Sequence, residues 1–356
     1  MLQIALSGAG QVGREHARRL APAVGAAMGA RLHSVVDPSP AGAALAAEQG
    51  VPHHRSLDEL LAAPLPDAVI LATPNDLHVP QALALLRRGV PVLIEKPVAH
   101  DLAAGQTLVE KARQSGVPVL VGHHRRHSAL LQAAKASVVA GELGRLVAVN
   151  TTVLFHKPRA YFEAAWRTQS GGGPILINLV HELDTLRWLA GEVVAVQARA
   201  GHAQRHLPVE DSAAVLLEFA SGALGTLIVS DSAACVRSWE QTSGENPAYA
   251  RDDSQDCLLL AGTRGSLAVP TLTRWQVEQG AEASWNQAMR RDRLSVAPLD
   301  PLTAQLQHFV EVVKGRAEPL VRADDALASL RLCLAVHEAS RSGQVVRLAH
   351  VQAGVP

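Results

Sequence analysis

The chemistry legible in this chain starts at a glycine turn and a few isolated side chains. Gly8-Ala9-Gly10-Gln11-Val12-Gly13 closes a short apolar run from Leu2 to Ser7 and precedes helix-forming residues from Arg14, the order of strand, turn and helix. In that order Gly8 permits the tight turn and Gly10 lets backbone approach a pyrophosphate. Gly13 lets the helix lie close to the strand while its N-terminus, with Gln11 and Val12, faces the anion. A second apolar run, Arg31 to Val36, ends in Asp37, 24 residues after Gly13, where a carboxylate takes the ribose hydroxyls of an adenine dinucleotide. The same carboxylate repels a 2′-phosphate, so NAD is expected in preference to NADP.

The elements that must position these groups repeat one rhythm. Ala68 to Thr73, Val90 to Glu95 and Val117 to Gly122 are apolar runs suited to burial on both faces of a parallel sheet, with helical stretches near 78–88 and 101–114 between them. Ser39-Pro40 opens a helix that ends at Gly50, Ser56 and Glu59 have capping-box spacing, and Pro22 stops the helix begun at Arg14. The fold class expected is α/β, a Rossmann doubly wound parallel sheet over 1–125. Ligands of such sheets gather at the carboxyl ends of the strands. Thr73, Pro74, Asn75 and His78, then Glu95-Lys96-Pro97, follow strands and read as cofactor contacts, and His124 and Arg126 read as substrate contacts. Lys96 stands beside a proline that fixes the next backbone step, so its ammonium is a poised donor to a substrate oxygen. It is one of five lysines in a chain with 33 Lys plus Arg.

From 126 to 356 the alternation gives way to longer strands at 145–155, 192–200, 211–219 and 223–230, then Cys257 to Ala261, Ser266 to Val269 and one near 272–278. This reads as an α+β domain for substrate binding and oligomerisation, with a large, mostly antiparallel open sheet. Helices near 128–140, 302–313 and 324–340 complete it, the closing ones packing back on the first domain. Pro174 to Leu189 reads as one helix closed by Gly191, with Leu179, Leu183, Leu186 and Leu189 along its apolar stripe. It carries Asn178, His181 and Asp184. A neutral imidazole accepts a hydroxyl proton as hydride leaves the same carbon, the work of a general base near pH 7. Asn178 can hydrogen-bond a substrate hydroxyl, and Asp184, one turn beyond His181, can orient it, touch substrate or lie on the helix surface. Tyr161, Trp166 and Arg167 precede the glycine run on a loop, Arg167 able to bind hydroxyls or a carboxylate and Trp166 able to stack on a sugar face. The polar stretch 231–256 lacks periodicity and reads as a mobile loop or lid.

Composition excludes several classes. Lys plus Arg (33) balance Asp plus Glu (33), and 48% of residues are hydrophobic, so a large core is available and bulk attraction to nucleic acid or anionic lipid is absent. No apolar run approaches the roughly 18 residues of a membrane span, and no basic region precedes a greasy stretch at the N-terminus. A soluble cytoplasmic protein with neither nucleic-acid nor membrane partner is expected. Cys235, Cys257 and Cys333 are too few and too far apart for a disulfide framework and read as small buried residues. His123, His124 and His127 cluster, and His202 and His206 stand four apart. With no cysteine nearby and no His-Glu-x-x-His arrangement, no metal is expected.

The glycine turn at 8–13, Asp37, the Thr73-Pro74-Asn75 to His78 segment, Glu95-Lys96-Pro97, and Gly171-Gly172-Gly173 followed by His181 and Asp184 together resemble the Gfo/Idh/MocA family of NAD(P)-dependent oxidoreductases over nearly the whole chain. The resemblance implies that Lys96 lies beside nicotinamide and substrate and that His181 acts in proton transfer. It also implies a second-domain sheet that carries substrate contacts on one side and supports a homodimer or homotetramer through the other. Members with a catalytic aspartate carry it four residues before this histidine, where this chain has Ile177 followed by Asn178. The activity expected is oxidation of a secondary alcohol of a sugar, cyclic polyol or related hydroxylated ring. The alternatives are a redox-neutral glycosidase that retains NAD, and a non-catalytic NAD-dependent sugar sensor, which retention of Lys96 and His181 disfavours.

Overall fold

Six short strands begin the chain: β1 (Leu2–Ser7), β2 (Ala30–Val36), β3 (His53–His54), β4 (Ala68–Leu71), β5 (Val92–Ile94) and β6 (Val119–Val121). They pair in the order β3-β2-β1-β4-β5-β6, all parallel. Every residue of β4, β5 and β6 is buried, which Ala-Val-Ile-Leu, Val-Leu-Ile and Val-Leu-Val sequences satisfy when helices cover both faces. Between the strands run α1 (Gln11–Leu20), α2 (Pro22–Met28), α3 (Pro40–Gln49), α4 (Leu57–Ala62), α5 (Asn75–Leu86) and α6 (Leu102–Ser115). The strand order reverses between β1 and β4, and the glycine turn leaves β1 there, the switch point at which open α/β sheets bind ligands.

Local chemistry fixes the helix ends. Ser39 Oγ accepts from the Gly42 N–H at 3.3 Å ahead of Pro40, and Gly50 ends α3 in the left-handed region at φ 64°. Ser56 caps α4 by accepting from the Glu59 N–H at 3.2 Å. The Glu59 carboxylate returns to the Arg55 N–H at 2.6 Å, one residue before a capping box would place it. Pro22 stops α1 as expected and also starts α2, a helix the sequence did not announce. At the first helical position proline's missing N–H costs nothing.

In the computed structural model, which describes residues 1–169 and 171–348, these elements belong to a unit of residues 1–127 and 300–330. That unit also holds α11 (Pro301–Val313) and the first residues of α12 (Ala323–Ser342). The other unit comprises 128–299 and Arg331 onward. Its helices are α7 (Ala129–Val139), α8 (Pro174–Ile177), α9 (Leu179–Ala190) and α10 (Trp239–Thr242), with the rest of α12. Its strands are β7 (Leu146–Leu154), β8 (Val193–Gly201), β9 (Ser212–Phe219), β10 (Leu224–Ser230), β11 (Leu258–Gly262), β12 (Gly265–Val269), β13 (Thr273–Gln276), β14 (Arg290–Arg293) and β15 (Val346–Arg347). They form one nine-stranded sheet, β14-β13-β12-β11-β7-β10-β9-β8-β15, antiparallel at every pairing except β7 with β10. Along β9, Ala213, Val215, Leu217 and Phe219 point inward to a core shared with Leu131 of α7 and Leu179, Leu183 and Leu186 of α9. The residues between them face out, and Leu216, Leu224 and Ile228 stand exposed there.

Several expectations need correction. The helix expected from Pro174 to Leu189 is two helices, broken at Asn178. Asp184 is buried, at 1% exposure, because α9 is enclosed on nearly every side. The segment 231–256 is pinned rather than a free lid. It contains α10, buries Trp239, and bonds back through Leu154 N–H to Arg237 O at 3.0 Å and Asp252 N–H to Gln241 O at 2.8 Å. Cys257 and Cys333 are buried, but Cys235 is only half-buried. β14 went unforeseen because Arg-Arg-Asp-Arg carries no apolar period, and it pairs at the sheet edge, where charged side chains are tolerated. Among the described residues no helix is long and apolar enough to cross a membrane.

Candidate active site

In the first unit the three glycines of the turn hold their positions for three different reasons. Gly8 adopts φ +100°, and a β carbon there would lie 2.4 Å from the Ala72 carbonyl oxygen. A β carbon on Gly13 would lie 2.0 Å from the Gly8 carbonyl oxygen, so helix and strand could not meet. Gly10 faces open space, with nothing within 4 Å of where a β carbon would stand. No side chain caps the N-terminus of α1, and Gly10, Gln11 and Val12 are exposed. The turn therefore offers an open cradle and a helix N-terminus, a fit for the pyrophosphate of a dinucleotide.

Asp37 closes this cradle from β2. Its carboxylate accepts from the Ala9 N–H at 2.7 Å and from the Ser39 N–H at 2.8 Å. Burial alone would push the carboxyl up, but the bonds from the Ser39 hydroxyl and the Ala9 and Ser39 amides outweigh it and hold Asp37 below the usual range. The charge expected to read ribose hydroxyls thus also fixes the turn.

The ends of β4 and β5 are tied together by His78. Its two ring nitrogens lie 2.9 Å from the Thr73 and Pro97 carbonyl oxygens, and burial lowers its pKa against the pull of those bonds. His78 braces two strand-end turns, while Thr73, Pro74 and Asn75 sit at the start of α5, Pro74 and Asn75 exposed. Glu95 is buried with its Oε1 2.7 Å from His16 Nε2 of α1. Desolvation would raise its carboxyl, but the His16 bond and charge, with His124 and Lys96 adding, hold it below the ordinary value. Lys96 follows, half-buried, at the carboxyl end of β5. Past β6, His124 is half-buried in a 3-10 turn, and Arg126 is buried with its guanidinium 2.5 Å from Asp325. His127 packs against His308 with ring centroids 5.1 Å apart and the rings tilted 48°. This unit gathers the glycine turn, Asp37, Thr73, Pro74, Asn75, His78, Glu95 and Lys96 past the carboxyl ends of β1, β2, β4 and β5, and commits Arg126 to an internal ion pair.

In the second unit the helix break organises a polar cluster. Asn178 interrupts α8 and α9, its carbonyl oxygen accepting from the His181 N–H at 3.1 Å and its Oδ1 from Lys157 Nζ at 2.9 Å. Lys157 is buried, 3.4 Å from Asp231, and its ammonium stands over the Tyr161 ring at 4.6 Å. Asp231, at 1% side-chain exposure, also receives Arg205 Nε at 2.8 Å. Burial pushes the Lys157 ammonium below its ordinary range, with Arg205 and Arg167 adding to this against the pull of Asp231. Arg167 lies over Tyr161 at 4.0 Å and Trp166 at 5.2 Å and donates to the Tyr161 carbonyl at 2.7 Å. No local pattern singles out Lys157, Arg205 or Asp231 in the sequence. The scarcity of lysine that drew attention to Lys96 was a signal for Lys157 as well.

In the glycine run, backbone crowds Gly172 and a side chain crowds Gly173. A β carbon on Gly172 would lie 2.5 Å from the Trp166 carbonyl oxygen, and one on Gly173 would lie 2.2 Å from the Glu210 carboxylate. That carboxylate accepts from the Ile175 N–H at 2.9 Å, at the first turn of α8. Tyr161 and Asn178 thus meet at Lys157, Arg167 and Trp166 lie against one another beside Tyr161, the His181 amide bonds to the Asn178 carbonyl, and Asp184 lies buried one turn beyond His181. Among the described residues no group of three or more His, Cys, Asp or Glu side chains is arranged to hold a metal ion.

Comparison with known proteins agrees in both halves. Residues 2–123 match the model of an oxidoreductase family with an NAD-binding Rossmann fold, and residues 131–268 match a GFO/IDH/MocA C-terminal domain. A 1,5-anhydro-D-fructose reductase of Ensifer adhaerens is 29% identical over 86% of this chain and 87% of its own length. An inositol 2-dehydrogenase of Streptomyces avermitilis is 35% identical over 63% of this chain and 64% of its own. The crystal structure of the WlbA dehydrogenase from Bordetella pertussis, in complex with NADH and UDP-GlcNAcA, superimposes with a TM-score of 0.77 at 26% identity, covering 98% of this chain and 99% of that one.

Proposed function

We propose, from the premise that this chain belongs to the Gfo/Idh/MocA family and is an NAD-binding oxidoreductase, that it oxidises a secondary alcohol of a sugar, cyclic polyol or related hydroxylated ring. The observation that carries the reading is the carboxyl end of the first unit's parallel sheet, where an open glycine cradle follows β1, an ionised Asp37 follows β2 and Lys96 follows β5. The bound nicotinamide supplies the hydride acceptor. The protein's own part is positioning and proton handling. Lys96 donates a hydrogen bond to the substrate oxygen and stabilises the charge that grows there as the C–H bond breaks. His181 accepts the hydroxyl proton, so alcohol becomes ketone with one hydride and one proton removed. Asn178, held by Lys157, sets the start of the helix that carries His181 and offers an amide to a substrate hydroxyl. The named activities of the relatives, reduction of an anhydrosugar ketone and oxidation of inositol, support this substrate class.

The test is NADH formation by the purified protein with excess NAD⁺ over aldoses, inositols, sugar acids, amino sugars and cyclic diols. At least one compound should give steady turnover, and Lys96→Met should lower kcat by about 100-fold or more with NAD affinity kept. Unchanged turnover in Lys96→Met removes that residue from the mechanism. Silence over the whole panel with NAD bound turns the assignment toward a redox-neutral glycosidase or a sensor.

A further inference from the structure

We propose that the substrate carries a carboxylate and that Arg167 receives it. The proposal rests on the dehydrogenase reading above and names the class of compound within it. Three cations stand in the second unit's polar cluster, and two are already matched. Lys157 at 3.4 Å and Arg205 at 2.8 Å share the buried carboxylate of Asp231. Arg167 is different. Among the described residues no carboxylate lies within ion-pair distance of it, and its one protein hydrogen bond, from Nη1, goes to the neutral carbonyl of Tyr161.

The Arg167 guanidinium is nonetheless fixed in place. It lies against two rings, Tyr161 at 4.0 Å and Trp166 at 5.2 Å, an arrangement that holds the plane of the fork and leaves its in-plane donors for a ligand. Its Nε is buried with no acceptor among the described residues. A buried N–H without an acceptor is uncommon in a folded protein and calls for a bound group to complete it. Arginine does not shed its proton, so the group that best completes the site is an anion, because a charge-assisted bond is about twice as strong as a neutral one. A planar carboxylate presents two oxygens to two parallel N–H groups, the pairing for which the guanidinium edge is shaped. Lys157, matched by Asp231, stands over the same Tyr161 ring at 4.6 Å, which leaves Arg167 as the cation of this cluster that a ligand anion would match. Trp166, 55% exposed, offers its remaining surface to a sugar ring.

The experiment titrates NAD-loaded protein calorimetrically with D-glucuronate and D-galacturonate against D-glucose and D-galactose, and assays the same four compounds for NADH. The acids should bind at least about tenfold more tightly than their neutral counterparts, and the advantage should shrink as salt is added. Arg167→Gln should remove the preference, and Arg167→Lys should keep part of it, retaining charge without the fork. Equal binding of acid and neutral sugar by the unaltered protein overturns the proposal, as does a preference that survives in Arg167→Gln or failure of both acids to bind. So does tighter binding of glucose 6-phosphate than of glucuronate. Binding is read without hydride transfer, so the two readings fail separately. Uronates bound without NADH formation keep Arg167 and remove the dehydrogenase, whereas ready oxidation of neutral sugars keeps the dehydrogenase and removes Arg167.

Discussion

The two units place their polar groups by different means. In the first, backbone does most of the positioning: a left-handed glycine, a glycine facing open space and a glycine under a helix shape the cradle, and Asp37 holds it through amide N–H bonds. Among its buried histidines, His127 lies against His308 and His16 bonds to Glu95. In the second unit, charged side chains drawn from distant positions do the positioning, with Lys157, Arg205 and Asp231 meeting beside the break at Asn178. A site made of backbone depends on residues close in sequence, and a site made of buried charge depends on partners that only the fold brings together.

The sharpest way to break this contrast is Asp231→Asn. If buried charge holds the second site, the change strands two cations and should cost about 3–5 kcal/mol in urea unfolding. A loss below 1 kcal/mol would mean that solvent or other groups already compensate them. The next effect is in the first unit and depends on pH. Burial, with His308, His124 and Arg126 adding, lowers His127 to about 3 from an ordinary 6.5. Between those values the unfolded chain binds a proton that the folded chain refuses. Stability therefore falls as pH falls from 6.5 toward 3, by up to about 1.4 kcal/mol per pH unit from this group. His127→Phe should flatten that acid limb of melting temperature against pH, and an unchanged limb would place the acid sensitivity elsewhere. The smallest effect is Asp37→Ala, which should weaken NAD about tenfold and relax discrimination against NADP. Equal losses for both cofactors would show that Asp37 serves only to hold the turn through Ala9 and Ser39.

The same contrast explains what could be read before folding. The glycine turn, Asp37 and the apolar runs of β4, β5 and β6 are local patterns with a fixed spacing, so strand, turn and helix were legible almost to the residue. The bond of His16 to Glu95, made across 79 residues, was not, although both lie in the legible half. Nor was Asp231, whose surroundings read as an aperiodic polar stretch. Its burial comes from β10 and from Lys157 and Arg205, and no window of sequence contains all three. Asn178 was legible as a polar group near His181, but the break it makes was hidden because apolar spacing continues through it from α8 into α9. Arg126 was legible as a strand-end cation. That Asp325 takes its charge depends on a helix 199 residues away.

The carboxylate of Glu210 fills the space that a β carbon on Gly173 would need, and it caps the first turn of α8. A β carbon at 173 would make the Glu210 carboxylate swing away and give up the Ile175 amide, which would then need another acceptor. Either change, at 173 or at 210, therefore removes the same cap, so the two positions share one function through a single carboxylate.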